Sequence, residues 1–373
     1  MRIVADRNNP FVEEAFCQLG QVVTLPASEI DAAAVKDAEL LVCRSTIKVG
    51  PALLDGSKVR FVATATIGTD HLDIPYLERR GITWTSAPGS NADSVQLWFA
   101  CALAAYCVEH ALEPRTLRFG IVGVGHVGRR VEKLVRALGA EVLLCDPPRQ
   151  RAEGGAFVDV DTIVERCDVV TLHVPLEETG TDRTRGLFDA ALLARLREGA
   201  LLVNACRGEV VDGPALLSEI GRVHAICDVF PGEPTPTPAL VDACELSTPH
   251  IAGHSLDGKV NGTDAVYRAA CAFLGVAPTF FAHAHLAAVE PRSITVAARA
   301  TAEMLDEALR PFYDIRADDR ALREIVRGPR GGFRTYRDRY AVRREPRGVH
   351  ATLAPAHAGV AAFLGVLGMA VKG

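Results

Sequence analysis

Phe119-Gly-Ile-Val-Gly123-Val-Gly125-His126-Val127-Gly128 decides how this chain is read. The apolar run Phe119 to Val122 meets a glycine loop, and a helical segment, Val127 to Leu138, follows, so the motif stands in the strand–turn–helix context that gives it meaning. Each glycine has a physical task. Gly123 permits a tight turn, Gly125 lets the backbone approach a pyrophosphate, and Gly128 lets the helix pack closely on the strand, while the helix N-terminus offers N–H groups to the anion. Asp146 ends the next strand eighteen residues after Gly128, the spacing of a carboxylate that binds the adenosine ribose hydroxyls of NAD. A carboxylate there repels a 2′-phosphate and so favours NAD over NADP, although Arg149 follows three residues later with the opposite charge.

Outward from the loop, the pattern repeats. Val142 to Cys145, Val169 to Leu172, Ala200 to Val203 and His224 to Cys227 are further apolar strands separated by helical segments. Near-continuous apolar runs of this kind belong to a parallel sheet covered on both faces. Before the loop, Ile3 to Ala5, Val22 to Leu25, Leu40 to Cys43, Val59 to Ala65 and Ile82 to Thr85 form an earlier series of the same type. Asp93 to Val108, apolar and free of Pro and Gly, reads as a buried helix joining the two series. The expected fold is α/β, with two doubly wound Rossmann-like domains and a smaller C-terminal α+β domain.

Composition narrows the class. The chain has 373 residues, 49% hydrophobic and 23% charged, with a formal net charge of −5, which gives no electrostatic case for nucleic acid or a membrane surface. Ten cysteines include no C-x-x-C pair and no zinc-finger spacing, so neither a metal nor a disulfide framework is expected. Cysteines inside apolar runs suit a reducing compartment, and the first residues lack a signal-peptide pattern, so a cytoplasmic location is expected. The apolar stretch Gly359 to Val371 is thirteen residues long, short of the ~20 that a membrane span requires, and reads as core. Arg327 to Arg347 holds eight arginines interleaved with Phe333, Tyr336 and Tyr340. A solvated face with aromatic packing beneath is the favoured reading, and a surface for a phosphate or a partner subunit is the other.

A second constellation follows three strands of the nucleotide-binding series: Asn204-Ala-Cys206-Arg207-Gly208, Asp228-Val-Phe-Pro-Gly-Glu233-Pro234 and Thr248-Pro249-His250. Open α/β sheets place ligands outside the carboxyl ends of their strands, so the three segments can converge. Oxidising an alcohol with a nicotinamide needs a base for the hydroxyl proton, a group that orients that base, and a cation for a substrate carboxylate. His250, Glu233 and Arg207 supply these. Cys206 reads as packing rather than as a thiolate nucleophile, and His126 as a surface residue of the first helical turn.

At these residues the sequence resembles the D-isomer-specific 2-hydroxyacid dehydrogenases, whose marks are the glycine loop, the Arg of N-x-x-R-G, the Glu of D-V-x-x-x-E-P and the His of T-P-H. Cys43-Arg44-Ser45 with Lys48, Ala63-Thr-Ala-Thr66 with Gly68-Thr-Asp-His71, Leu144-Cys-Asp146-Pro-Pro148 and Leu256-Asp-Gly-Lys narrow the likeness to a branch acting on a phosphorylated 2-hydroxyacid. The resemblance implies that Arg207, Glu233 and His250 are catalytic. It implies NAD at Gly123, Gly125, Gly128, Asp146, Asp228 and Gly253, with His126, Val127, Val174 and Cys206 beside it, and substrate at Ser45 and Thr66. Arg44 and Lys48 are candidates for the substrate's negative groups by their charge. Leu97 and His254 depart from the family's usual Glu and Tyr, and His254 stands beside the substrate.

The expected domains are 1–92 plus 251–275 for substrate, 93–250 for NAD, and 285–373 for dimerisation, through the similarity of Tyr313 to Asp319 and Tyr340 to Arg344 to the branch's extra C-terminal domain. A small phosphorylated 2-hydroxyacid and a second copy of the chain are the expected partners. Two readings stay open beside this one: another substrate such as 3-phosphoglycerate, and an NAD-sensing dimer that keeps the fold without the chemistry.

Overall fold

A computed structural model describes residues 1–372. The chain divides into two units, Met1–Ala92 with His254–Ala288, and Asp93–Gly253 with Val289–Gly373.

In the first unit, β1 (Arg2–Asp6), β2 (Gln21–Leu25), β3 (Leu40–Cys43), β4 (Phe61–Thr64) and β5 (Thr83–Thr85) form a parallel sheet in the order β2-β1-β3-β4-β5. β3 and β4 are buried at every position, as expected of strands covered on both faces. One cover is the helix Leu256–Leu274, whose Val266, Tyr267, Ala270 and Cys271 share a core with Ile3, Ala5, Phe61 and Ala63. Its close approach needs a glycine, because a Cβ on Gly262 would lie 2.6 Å from the Ala65 carbonyl oxygen.

The second unit holds β6 (Arg118–Val122), β7 (Glu141–Cys145), β8 (Val169–Leu172), β9 (Leu201–Asn204), β10 (His224–Cys227) and β11 (Leu246–Ser247). Their order is β11-β10-β9-β8-β6-β7, all parallel, so the chain reverses its winding direction at β6/β8. The linking helix Ala92–Glu109 is buried along nearly its whole length and packs in one core with the helix His126–Leu138. Being apolar all round suits a helix with protein on every side. A third, smaller parallel sheet follows: β12 (Ser293–Val296), β13 (His350–Leu353) and β14 (Ala370–Lys372), in the order β12-β13-β14.

Two boundaries differ from the sequence expectation. Ile251 and Ala252 fall with the nucleotide-binding sheet, because their backbone N–H groups donate to Asp228 at 2.8 and 2.9 Å. Of residues 285–373, expected as a body of their own, the described ones from Val289 on share the second unit's cores. Val296, Leu353, Phe363 and Leu364 join the core of the two long helices, while Leu322 and Phe333 join that of the opposite sheet face. The stretch Gly359 to Val371 does form core, in the helix Ala358–Val366.

The arginine-rich run differs more sharply, since Arg343 is only 5% exposed. Phe333 is buried, and the Tyr336 and Tyr340 hydroxyls donate to Asp318, so the aromatic packing is real but at least one arginine lies inside it.

Phe363 is fully buried in the helix Ala358–Val366. Truncating it to Ala removes a core aromatic and is expected to cost about 3–5 kcal/mol of stability, read by denaturant unfolding. If the described residues from 289 on share one cooperative unit with the six-stranded sheet, intrinsic fluorescence and far-UV circular dichroism should move together in this variant.

Candidate active site

The glycine loop has the geometry that its three tasks demand. Gly123 has φ +86°, and a Cβ there would sit 2.7 Å from the His173 carbonyl. A Cβ on Gly128 would lie 2.0 Å from the Gly123 carbonyl oxygen, so only glycine lets the helix seat on the loop. Gly125 is different: it caps the helix His126–Leu138 without a side-chain hydrogen bond, and a Cβ there would meet nothing within 4 Å. An exposed glycine at the start of a thirteen-residue helix leaves a cradle that a pyrophosphate fits. His126 is exposed and Val127 half-buried in the first turn, and Val174 lies against Gly123 from the end of β8.

Asp146 sits beside this cradle. One carboxylate oxygen accepts the Val124 N–H at 2.8 Å and the other accepts the Arg149 N–H at 3.0 Å. Arg149, the opposite charge that could have welcomed a 2′-phosphate, is held by Glu153 and by the Val124 carbonyl, with its guanidinium over Phe157. His173, next to Gly123, is half-buried, and desolvation pushes its imidazole down to about 3, so it is a neutral wall of the loop.

At the carboxyl ends of β9, β10 and β11 the three predicted segments do meet. Asn204 folds the first loop, its amide oxygen accepting the Cys206 N–H at 3.1 Å and its NH₂ donating to the Arg207 carbonyl at 2.9 Å. Cys206 is buried with its thiol pushed up to about 11 by burial, which fits packing and not nucleophilic chemistry. Arg207 is half-buried and anchored through Nη1 to the Cys206 carbonyl at 2.8 Å. Gly208 presses on the next loop, where a Cβ would lie 2.1 Å from the Phe230 carbonyl carbon.

In that next loop Glu233 is fixed by accepting the Phe230 N–H at 2.9 Å on one oxygen, and its other oxygen lies 2.7 Å from His250 Nδ1. Burial works to raise the Glu233 carboxyl, but the charge and hydrogen bond of His250 outweigh it, helped by the Phe230 N–H and Arg337. The carboxyl is left below its ordinary value near 4.5. An ionised carboxylate can only accept, so Nδ1 carries a proton, and in the neutral imidazole Nε2 is the acceptor. The two residues that stand seventeen positions apart in sequence are therefore a histidine ring held by a buried carboxylate.

Asp228, expected at the cofactor, has another occupation here. It is 1% exposed, and its oxygens accept the Thr248 hydroxyl at 2.6 Å and the Ile251 and Ala252 N–H groups. The Thr248 hydroxyl oxygen in turn accepts the Trp98 indole N–H at 3.0 Å. This network bridges the linking helix to the His250 segment, and sequence reasoning missed it. A Thr two residues before the His and a Trp in an apolar helix were its only signals. Gly253 follows directly, half-buried.

The substrate candidates belong to the first unit. Arg44 is half-buried and its Nε donates to the buried Asp6 at 3.0 Å, while Ser45 and Lys48 are exposed. The Thr66 hydroxyl shares a 2.8 Å hydrogen bond with Thr64, which His71 Nε2 also reaches at 3.0 Å. Burial pushes the His71 imidazole down to about 4, so it stays neutral. His254 is half-buried in the same unit. Leu97 is 1% exposed and packs in the core of the linking helix, as an apolar side chain there must.

One cluster has ligand-type residues that cysteine spacing did not reveal. His110, His224 and Glu245 meet at the amino ends of β10 and β11, with Glu245 between His110 Nε2 at 3.2 Å and His224 Nδ1 at 2.5 Å. Burial opposes ionisation of Glu245, but the two histidines hold its carboxyl below its ordinary value. The three groups satisfy one another, at the strand ends opposite the Glu233–His250 pair.

Two family descriptions cover the chain in sequence order: the D-isomer specific 2-hydroxyacid dehydrogenase catalytic domain over residues 4–97 and the corresponding NAD binding domain over residues 103–252. A curated relative from Ectopseudomonas mendocina, erythronate-4-phosphate dehydrogenase, is 42% identical over 99% of this chain and 100% of its own. The chain belongs to the D-isomer specific 2-hydroxyacid dehydrogenase family. A relative of the same name from Salinibacter ruber is 46% identical over 92% of each chain. Among solved structures, the NAD and lactic acid complex of Aquifex aeolicus D-lactate dehydrogenase shares the fold at TM-score 0.60 and 24% identity, covering 74% of this chain and 96% of that one. Residues 286–365 match a domain of unknown function. NAD is the cofactor of this family member, and the glycine loop with Asp146 is where its residues fit it.

Two outcomes follow from this geometry. Gly128→Ala forces the loop away from the helix, and NADH binding measured by fluorescence titration should weaken at least about tenfold while the far-UV circular dichroism is retained. The lowered Glu233 carboxyl contributes stability that is complete above its unfolded value and is lost as pH falls through the lower folded one. Glu233→Gln should therefore unfold at lower urea than the parent at pH 7, with the gap narrowing below about pH 4. An unchanged gap across that range would mean that the pair adds nothing through ionisation.

Proposed function

We propose that this chain catalyses the NAD-dependent oxidation of erythronate 4-phosphate at its 2-hydroxyl, giving 3-hydroxy-2-oxo-4-phosphooxybutanoate, a step toward pyridoxal phosphate. The observation that carries the reading is the 2.7 Å contact between His250 Nδ1 and Glu233, which leaves Nε2 as the basic nitrogen. Near-full-length relatives of that name support the choice of substrate.

His250 Nε2 takes the hydroxyl proton, and Glu233 favours the imidazolium so formed because its negative charge is already in place. Arg207 grips the substrate carboxylate and aligns carbon 2, a role that suits a planar guanidinium with paired donors. Bound NAD supplies the hydride acceptor. Gly123, Gly125 and Gly128 would hold its pyrophosphate and Asp146 its ribose, with His126, Val127, Val174, Cys206, Asp228 and Gly253 lining or supporting that side. Arg44, Ser45, Lys48, Thr66 and His254 would meet the substrate, the two cations matching its negative groups.

The reading extends to a cytoplasmic homodimer that uses residues 285–373. None of the helices among the described residues is long and apolar enough to cross a membrane. Sedimentation at twice the chain mass, reverting toward a monomer when 285–373 is removed, is the outcome expected.

The decisive assay follows NADH absorbance with erythronate 4-phosphate beside 3-phosphoglycerate, in the presence of a 2-oxoacid in case bound NADH does not dissociate. Selective turnover with the first, reduced by about 10²–10⁴-fold in His250→Ala with NADH binding intact, is expected. Equal turnover in that variant would remove His250 from the chemistry. NAD binding without turnover of any 2-hydroxyacid would favour a sensing protein.

A further inference from the structure

Arg343 is a charged side chain in an unusual place. It is 5% exposed, and its Nε and Nη1 have no hydrogen-bond partner. The guanidinium carbon lies 4.4 Å from the Tyr313 ring centroid and 5.9 Å from that of Tyr340. Burying a cation so sparsely paired is costly unless the few bonds that it makes matter. Those bonds go from Nη2 to the backbone carbonyls of Ile251, at 2.9 Å, and Ala252, at 2.5 Å.

These two residues directly follow His250. Their N–H groups donate to Asp228, so the same pair of residues is held through its N–H groups by a buried anion and through its carbonyls by a buried cation. The residue before Thr248 is caught as well, because the Ser247 N–H donates to Asp319 at 2.8 Å. Asp319 lies in the helix Ile315–Arg327, whose Arg323 also donates to the carbonyls of Val241, Asp242 and Cys244. The neighbouring Asp318 accepts the hydroxyls of Tyr336 and Tyr340, tying that helix to the segment that carries Arg343.

His250 itself has φ +54°, a left-handed conformation that a non-glycine residue holds only when its surroundings fix it. The segment 247–252 is thus gripped at both ends by residues beyond 289. We propose that Arg343 is a positioning residue for His250, and that residues 314–347 act as a brace holding the proton-transfer segment in its reactive conformation. The proposal rests on reading His250 as the proton-transfer group. It gives the C-terminal region a task in catalysis that is separate from assembly.

The test is Arg343→Met, which keeps the bulk of the stem and removes the donors, with Arg343→Lys, which restores one donating ammonium. In Arg343→Met, kcat for erythronate 4-phosphate should fall on the order of tenfold to a hundredfold, the scale on which small misplacements of a reacting group act. NADH affinity and the substrate KM should stay within about threefold, and sedimentation should be unchanged, since neither site residues nor assembly contacts are removed. Arg343→Lys should recover part of kcat.

A general loss of folding would instead lower the active fraction and leave kcat per NADH-binding site unchanged, and that result overturns the proposal. So does full kcat in a folded Arg343→Met. If Arg343→Met does not fold, Asp319→Ala, which frees the Ser247 end and unpairs Arg323 while leaving the Arg343 end intact, must lower kcat per NADH-binding site, and an unchanged value there is equally fatal. His250→Ala run in parallel separates the two levels: turnover retained in that variant sinks the catalytic reading itself, whereas its loss beside a fully active Arg343→Met sinks only the brace.

Discussion

The carboxylate of Asp228 is the constraint on which the site depends. It lies just beyond the end of β10, almost without solvent, and accepts three hydrogen bonds from the segment that follows β11. Burial pushes its carboxyl up, against the pull of the nearby His250 charge and of its donors. Those donors are what make a buried carboxylate tolerable, because an unpaired one costs far more than its Coulomb partners return. In accepting them Asp228 fixes the turn in which His250 takes a positive φ. His250 can then meet Glu233, which the Phe230 N–H has already oriented.

Around that anchor the sheet and helices have complementary work. Parallel pairing of β9, β10 and β11 brings the Arg207, Glu233 and His250 segments to one end of the sheet. The linking helix reaches the same network through Trp98, so a mostly apolar element contributes a polar contact at the place where it counts. At the other side of the sheet, the close contact of Gly128 with Gly123 seats the helix whose N-terminus faces the phosphate cradle. The glycine loop and the Glu233–His250 pair are thus both set by backbone positions at the carboxyl ends of strands.

The C-terminal region reaches both faces of the nucleotide-binding sheet, and this changes how an arginine-rich sequence should be understood. Charge density along the chain suggested a solvated face, and several of its members do pair on the surface: Arg327 with Asp242 and Arg347 with Asp93. Arg343 lies among them in sequence but apart from them in space, enclosed by two tyrosine rings. Linear charge patterning averages over neighbours that a fold separates, so it cannot single out a guanidinium that turns inward.

The sequence by itself determined the two parallel α/β series, the glycine loop with its acidic partner, and the convergence of the three segments that carry Arg207, Glu233 and His250. These are signalled by local chemistry: periodicity follows from burial on both faces, and Gly123 and Gly128 occupy backbone positions where a Cβ would collide. The tertiary structure alone decided that Asp228 anchors a loop, that Trp98 and Thr248 join it, that Ile251 and Ala252 side with the nucleotide-binding sheet, and that Arg343 grips their carbonyls. Each of those contacts joins residues from 20 to 150 positions apart. Hydrogen bonds of that kind carry no spacing rule, because any polar side chain can make them once packing has brought its partner near and taken the water away.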